Sequence, residues 1–130
     1  MDRRLSRGLL VGVVVIGLAA GTPAFAEGSW SSSMSGVLPG FESRRWNDTN
    51  ADSTSTSVTF SGCSVEQRTF RAATLIVWKD VFGPDENKGT RTNYCNSTSW
   101  GDLAAGTYYF EVDGFTDCCY LNVESLTTRY

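Results

Sequence analysis

Along residues 56–63 apolar and polar side chains alternate, with Val58, Phe60 and Gly62 on one side and Ser57, Thr59 and Ser61 on the other. A period of two puts successive side chains on opposite faces of an extended chain, so this stretch predicts a half-buried antiparallel strand. The same period returns at 107–113, where Tyr108, Phe110 and Val112 share the expected core face, and at 120–128, where Leu121 and Val123 point inward. Residues 72–82 (AATLIVWKDVF) predict a central strand, with Trp78 in the core. Residues 90–95 are its expected antiparallel return. A weaker strand is expected at 41–46, where Phe41, Ser43 and Arg45 oppose Glu42, Arg44 and Trp46 and neither face is cleanly apolar. Polar, turn-rich stretches at 47–54, 83–89, 96–99 and 114–119 separate these runs. No window carries the 3.6-residue period of an amphipathic helix. Six short strands predict an all-β chain, a small antiparallel β-sandwich or jelly roll forming one domain over 41–130.

The first 26 residues have a different character. Arg3, Arg4 and Arg7 precede an apolar run from Leu9 to Ala20, and Ala24-Phe25-Ala26 closes it with small residues. Such a segment is expected to be a cleaved secretory signal peptide, its apolar run being shorter than the ~20 residues that a membrane span needs. The expected product is secreted, extracellular and monomeric, with no membrane contact after cleavage. Residues 27–40 (EGSWSSSMSGVLPG) are Ser/Gly-rich and read as a flexible N-terminal arm, pinned by Trp30 or by Val37-Leu38. Removing 1–26, which hold three Arg and one Asp, moves the formal charge from −3 to −5 over 104 residues. A chain this acidic, without a basic cluster, repels polyanions, which argues against nucleic acid as a partner.

Composition sharpens the fold expectation. Leu, Ile, Val and Phe together supply only 19 of those 104 residues, a thin core by ordinary standards, while 15 residues are aromatic. Four cysteines in an oxidising compartment can stiffen such a core. Cys63, Cys95, Cys118 and Cys119 allow three pairings. The strain of a ring between adjacent cysteines favours the two crossed arrangements over Cys63–Cys95 with Cys118–Cys119.

The run Trp100-Gly101-Asp102-Leu103-Ala104-Ala105-Gly106-Thr107-Tyr108-Tyr109-Phe110-Glu111-Val112 resembles the L-x-A-G-T-Y-Y-x-x-V strand entry of bacterial pre-peptidase C-terminal domains. Tyr120-Leu121-Asn122-Val123 is similar to their closing strand. Those domains are secreted β-sandwich modules appended to hydrolases. The matching positions are packing positions rather than catalytic ones, and four cysteines depart from the pattern. The resemblance implies a β-sandwich with a non-catalytic accessory or binding role.

Candidate chemistry is narrow. Without histidine there is no Ser-His-Asp or Cys-His nucleophile pair and no HExxH zinc helix. The cysteines lack CxxC spacing, and Asp117 beside Cys118 disfavours a low-pKa thiolate, so a structural role outweighs redox or zinc chemistry. Asp48, Asn50 and Asp52 set oxygen ligands at alternate positions in a turn, as calcium loops do, although Ser53 and Thr59 exclude an EF-hand. The alternative is a solvated Asx turn. Trp46 and Trp100 flank polar turns, and with Tyr94 and Tyr109 they could form a platform on which sugar rings stack. The opposing expectation is that all four supply core area. The turn carrying Pro84, Asp85, Glu86, Asn87 and Lys88 could instead be a presented loop, as in proteins that inhibit extracellular hydrolases. Asn47-Asp48-Thr49 and Asn96-Ser97-Thr98 are formal glycosylation acceptors. The leading expectation is therefore a secreted, non-catalytic module that binds a polysaccharide, cell wall or protein. A hydrolase inhibitor acting through 83–90 and a cell-surface interaction protein are the alternatives.

Overall fold

A computed structural model describes residues 28–115 and 120–130. They form nine strands: β1 Ser29–Val37, β2 Phe41–Glu42, β3 Trp46–Asp48, β4 Thr56–Val65, β5 Ala73–Asp80, β6 Glu86–Asn93, β7 Ser97–Gly101, β8 Gly106–Phe115 and β9 Leu121–Arg129. Two antiparallel sheets face each other. The first runs β1-β9-β4-β7; the second runs β2-β8-β5-β6, with β3 also on β8. This is the expected all-β sandwich; strands β4, β8 and β9 stand where alternation places them, and β5 where the apolar run places it.

Three expectations are corrected. Residues 29–37 are not a loose arm but a full edge strand, whose backbone pairs with β9 from Val37 opposite Leu121 to Ser29 opposite Arg129. Ladder hydrogen bonds come from the backbone, so a Ser-rich strand forms as readily as an apolar one once Met34 and Val37 have a core to enter. Residues 41–46 split into β2 and β3 around Ser43, whose hydroxyl accepts the Phe110 N–H (2.9 Å) and donates to the Arg44 carbonyl (2.8 Å). Finally, β7 occupies part of the polar stretch 96–99. Its Thr98 and Trp100 face inward while Ser97 and Ser99 face out, an alternation too short to stand out.

Between the sheets, aromatic rings form a continuous chain. Phe60 meets Phe110 at 6.2 Å between centroids, Phe110 stacks parallel to Trp30 at 6.3 Å, and Trp30 meets Trp46 at 6.2 Å. Trp46 in turn stacks on Tyr108 at 6.2 Å and on Tyr130 at 5.9 Å. Aliphatic side chains from both sheets, among them Val58, Leu75, Val77, Val112, Leu121 and Leu126, fill the space around them. A chain poor in aliphatics thereby fills much of its core with rings, each burying ~150–250 Å².

The two long flanks of the sandwich close differently. Where β6 meets β7, the Trp100 indole N–H donates to the Gly89 carbonyl (2.8 Å) and the Arg91 guanidinium to the Ser99 carbonyl (3.2 Å). The opposite flank, between β1 and the β2–β3 edge, is spanned by side chains, with the Arg44 guanidinium 5.4 Å over the Trp30 ring.

At one end the turn between β6 and β7 is fixed by a buried amide. Asn93 Oδ1 accepts the N–H groups of Cys95 (2.7 Å) and Asn96 (3.1 Å), while its Nδ2 donates to the Asn96 carbonyl (2.8 Å). These bonds hold Cys95 at φ 67°, a left-handed conformation unfavourable for a residue with a side chain. Cys95 is thereby placed for a disulfide with Cys63, at 5.9 Å between Cα atoms. This pairing overturns the crossed arrangements favoured from strain. With Thr59 opposite Ser97 in the β4–β7 ladder, Cys63 and the Cys95 turn arrive at the same end of the sheet. Cys118 and Cys119 lie outside the described residues.

Closing the 33-residue loop from Cys63 to Cys95 is worth ~3.7 kcal/mol on a chain-entropy account. The C63A/C95A variant is expected to lose about 3–4 kcal/mol in urea unfolding with an unchanged fold. A loss under about 1 kcal/mol would show that the bond does not constrain the unfolded chain.

Candidate functional site

The β5–β6 turn, residues 81–85, carries the most exposed large hydrophobic side chain of the described residues, Phe82. Glycine at 83, with φ 92°, turns the chain where a residue with a Cβ would be strained. Asp85 ties the turn together from within, Oδ1 accepting the Val81 N–H at 3.3 Å. It also ties the turn to the body of the protein, because Oδ2 accepts a short hydrogen bond from the Tyr109 hydroxyl on β8. Arg45 lies 3.9 Å over the Tyr109 ring and is held there by Asp80 (3.2 Å) and Glu42 (3.3 Å). From this scaffold Phe82 projects with a relative exposure of 107%.

The turn is therefore shorter than the 83–90 stretch expected. Pro84 is exposed in it, and Asp85 is its anchor. Glu86, Asn87 and Lys88 belong to β6, where Glu86 pairs with Lys88 at 3.8 Å and Asn87 Oδ1 accepts the Gly89 N–H at 2.7 Å. Phe82 was not among the expected loop contacts. An aromatic residue just before Gly-Pro is a usable signal, but its exposure depends on β5 ending at Asp80 rather than at 82.

The four rings of the expected sugar platform are not brought together. Trp46 (3% exposed) and Trp100 (6%) are core residues, a correction that follows from their places on inward faces of β3 and β7. Tyr109 does point away from the core, yet it is 5% exposed because Arg45 covers its ring. Tyr94 is exposed at 64%, on the turn beside Cys95. Trp78, expected inside, is half-buried on the outer face of its sheet, its indole N–H donating to Glu111 at 2.9 Å. Ala73, Leu75 and Val77 take the inner positions instead.

The expected calcium loop has the bonds of an Asx turn. Asp48 Oδ1 accepts the Asn50 N–H (2.8 Å), and Asp52 Oδ1 accepts the Thr54 N–H (3.0 Å). Among the described residues no group of three His, Cys, Asp or Glu side chains converges to hold a metal ion. Among them, too, no helix is long and apolar enough to cross a membrane. Comparison of the chain with protein-family models, curated proteins and solved structures finds no match.

The electrostatics of the turn follow from its bonds. The Tyr109 hydroxyl holds the Asp85 carboxyl below its ordinary range, with the Val81 N–H and the Arg45 charge adding to it and burial opposing. Burial pushes the Tyr109 phenol well above its ordinary value, reinforced by the hydrogen bond and charge of Asp85 and by Glu42, with Arg45 opposing. A depressed carboxyl adds stability that is lost as pH falls below its ordinary value of ~3.9. A raised phenol adds stability that is complete below its ordinary value of ~10 and is lost above it. Melting temperature is expected to fall more steeply above about pH 10 in the native chain than in Y109F, and more steeply below about pH 4 than in D85N. Parallel curves across both limbs would show that the pair does not hold the turn.

Proposed function

We propose that this chain is a secreted, non-catalytic binding module that recognises a protein partner through the β5–β6 turn, and that the partner is an extracellular hydrolase which it inhibits. The observation that carries this reading is the full exposure of Phe82 on a turn tied down by Asp85 to Val81 and Tyr109. An exposed ring costs solubility in a free monomer, whereas seated in a partner's pocket it returns ~1.5–3 kcal/mol. Because the turn is already ordered, little conformational entropy is lost on binding, which is the advantage of a presented loop. Secretion is supported by the character of residues 1–26 and is compatible with the Cys63–Cys95 disulfide. The polysaccharide reading is weaker, because of its four rings only Tyr94 is well exposed.

The oxidised protein is expected to inhibit, or form an isolable complex with, a member of a panel of secreted proteases, amylases and cell-wall hydrolases. F82A should weaken that complex by about thirtyfold, the scale of an aromatic hot spot. Y94A, at the opposite end, should leave it unchanged. Absence of any complex across the panel, or equal binding by F82A, would overturn the proposal.

A further inference from the structure

The edges of the two sheets are in different states. β6 and β7 lie together at one flank and are closed by the Trp100 and Arg91 bonds to backbone carbonyls. The β2–β3 edge is broken at Ser43 and carries Glu42, Arg44 and Arg45. Short, interrupted and charged strands are the ordinary protection of a sheet edge against a foreign strand. β1 has none of these. It is nine residues long, contains neither a charged residue nor a proline, and among the described residues pairs with β9 alone.

The register shows which of its backbone groups are open. Gly28 and Tyr130 exchange two backbone hydrogen bonds of 3.0 Å, one in each direction. In an antiparallel ladder such pairs alternate with pairs whose N–H and C=O groups point away from each other. Ser29 opposite Arg129 and Ser31 opposite Thr127 are therefore pairs of the second kind. The N–H and C=O groups of Ser29 and Ser31 face the open side of β1, and both residues are exposed.

The composition of β1 selects the strand that completes this edge. A two-fold pairing needs a strand that tolerates its own side chains opposite itself. With Ser29 of one copy opposite Ser31 of the other, each such pair exchanges two backbone bonds and sets serine against serine. The chain as a whole is acidic, so two copies meeting elsewhere oppose like charges, whereas a strand without charge removes that cost. We propose that β1 is a dimerisation edge, at which two copies of this chain pair their β1 strands antiparallel and join their four-stranded sheets into one. The Phe82 turn belongs to the other sheet, so the pairing is independent of the inhibitory role.

Sedimentation equilibrium of the full oxidised protein, from about 10 μM to about 1 mM, tests this. Edge pairing over so few residues falls at the small end of protein interfaces, and the expected result is a reversible, non-covalent dimer with a dissociation constant on the order of 0.1 mM. S31P removes one outward N–H from each copy and leaves the bonds to β9 in place, as proline is tolerated where its nitrogen faces solvent. S31K instead puts a charge on the edge. Each variant should keep the native circular dichroism and raise the dissociation constant at least about tenfold, the scale of two lost hydrogen bonds. F82A should leave the constant unchanged. The proposal is overturned if the native chain stays monomeric throughout, or if folded S31K dimerises as tightly as the native chain. Loss of the dimer in F82A, or a dimer that survives denaturant until a reductant is added, would overturn it as well.

Discussion

The stacking of aromatic rings between the sheets is the interaction on which the rest of this structure depends. With few Leu, Ile and Val available, the space between two facing sheets has to be filled by Trp30, Trp46, Phe60, Tyr108, Phe110 and Tyr130. The rings come from four strands, β1, β3, β4 and β8, and from Tyr130, so the stack fastens together segments far apart in sequence. It also explains why the Ser-rich strand β1 is part of the fold. Trp30 is the link between Phe110 and Trp46, and the backbone of Gly28 pairs with Tyr130 through two bonds of 3.0 Å. Once indoles are committed to the interior they are unavailable as a surface platform.

Rigidity and exposure are distributed unevenly around that stack. One end carries the Asn93 amide and the Cys63–Cys95 bond, which fix a strained turn without involving an obvious ligand. The other end carries the Phe82 turn, held by a carboxylate and a phenol rather than by a covalent link. One flank is sealed by hydrogen bonds from Trp100 and Arg91, whereas the other leaves the Trp30 indole N–H without a partner and Arg44 exposed to solvent. The difference is one of chemistry. Bonds to backbone carbonyls satisfy both partners and close a surface, while a cation that only rests on a ring leaves its own N–H groups to solvent.

How far the sequence could be read depended on whether a residue's role was set by its neighbours in the chain or by those in space. Val58 and Phe60, Tyr108 and Phe110, and Leu121 and Val123 were legible because alternation is a local property. Ser29–Val37 has the composition of an arm yet forms a strand, because composition reports side chains while a ladder is made by backbone groups. Trp46 and Trp100 were judged by the polar turns flanking them, but the direction of a side chain is set by the register of its strand, and a shift of one residue would have reversed it. Trp78 failed in the opposite sense: an apolar run does not say which of its alternate positions face in. The turn at 81–85 is visible in Gly83-Pro84, whereas the role of Asp85 as its anchor depends on Tyr109, a distant residue.

By itself, the sequence determined an all-β sandwich, a thin core that needs its aromatics, and the exclusion of histidine-based chemistry. Each of these follows from residue types and short-range periodicity, which do not depend on what the chain later packs against. Only the tertiary structure decided that Cys63 pairs with Cys95, which rings are buried, that Phe82 is fully exposed, and that a cleft remains on one flank beside Trp30. Those outcomes depend on strand register and sheet order, and therefore on contacts between residues that can lie a hundred positions apart, as Gly28 and Tyr130 do. No local pattern encodes them, because they are settled by the joint fit of all the strands in the space between two sheets.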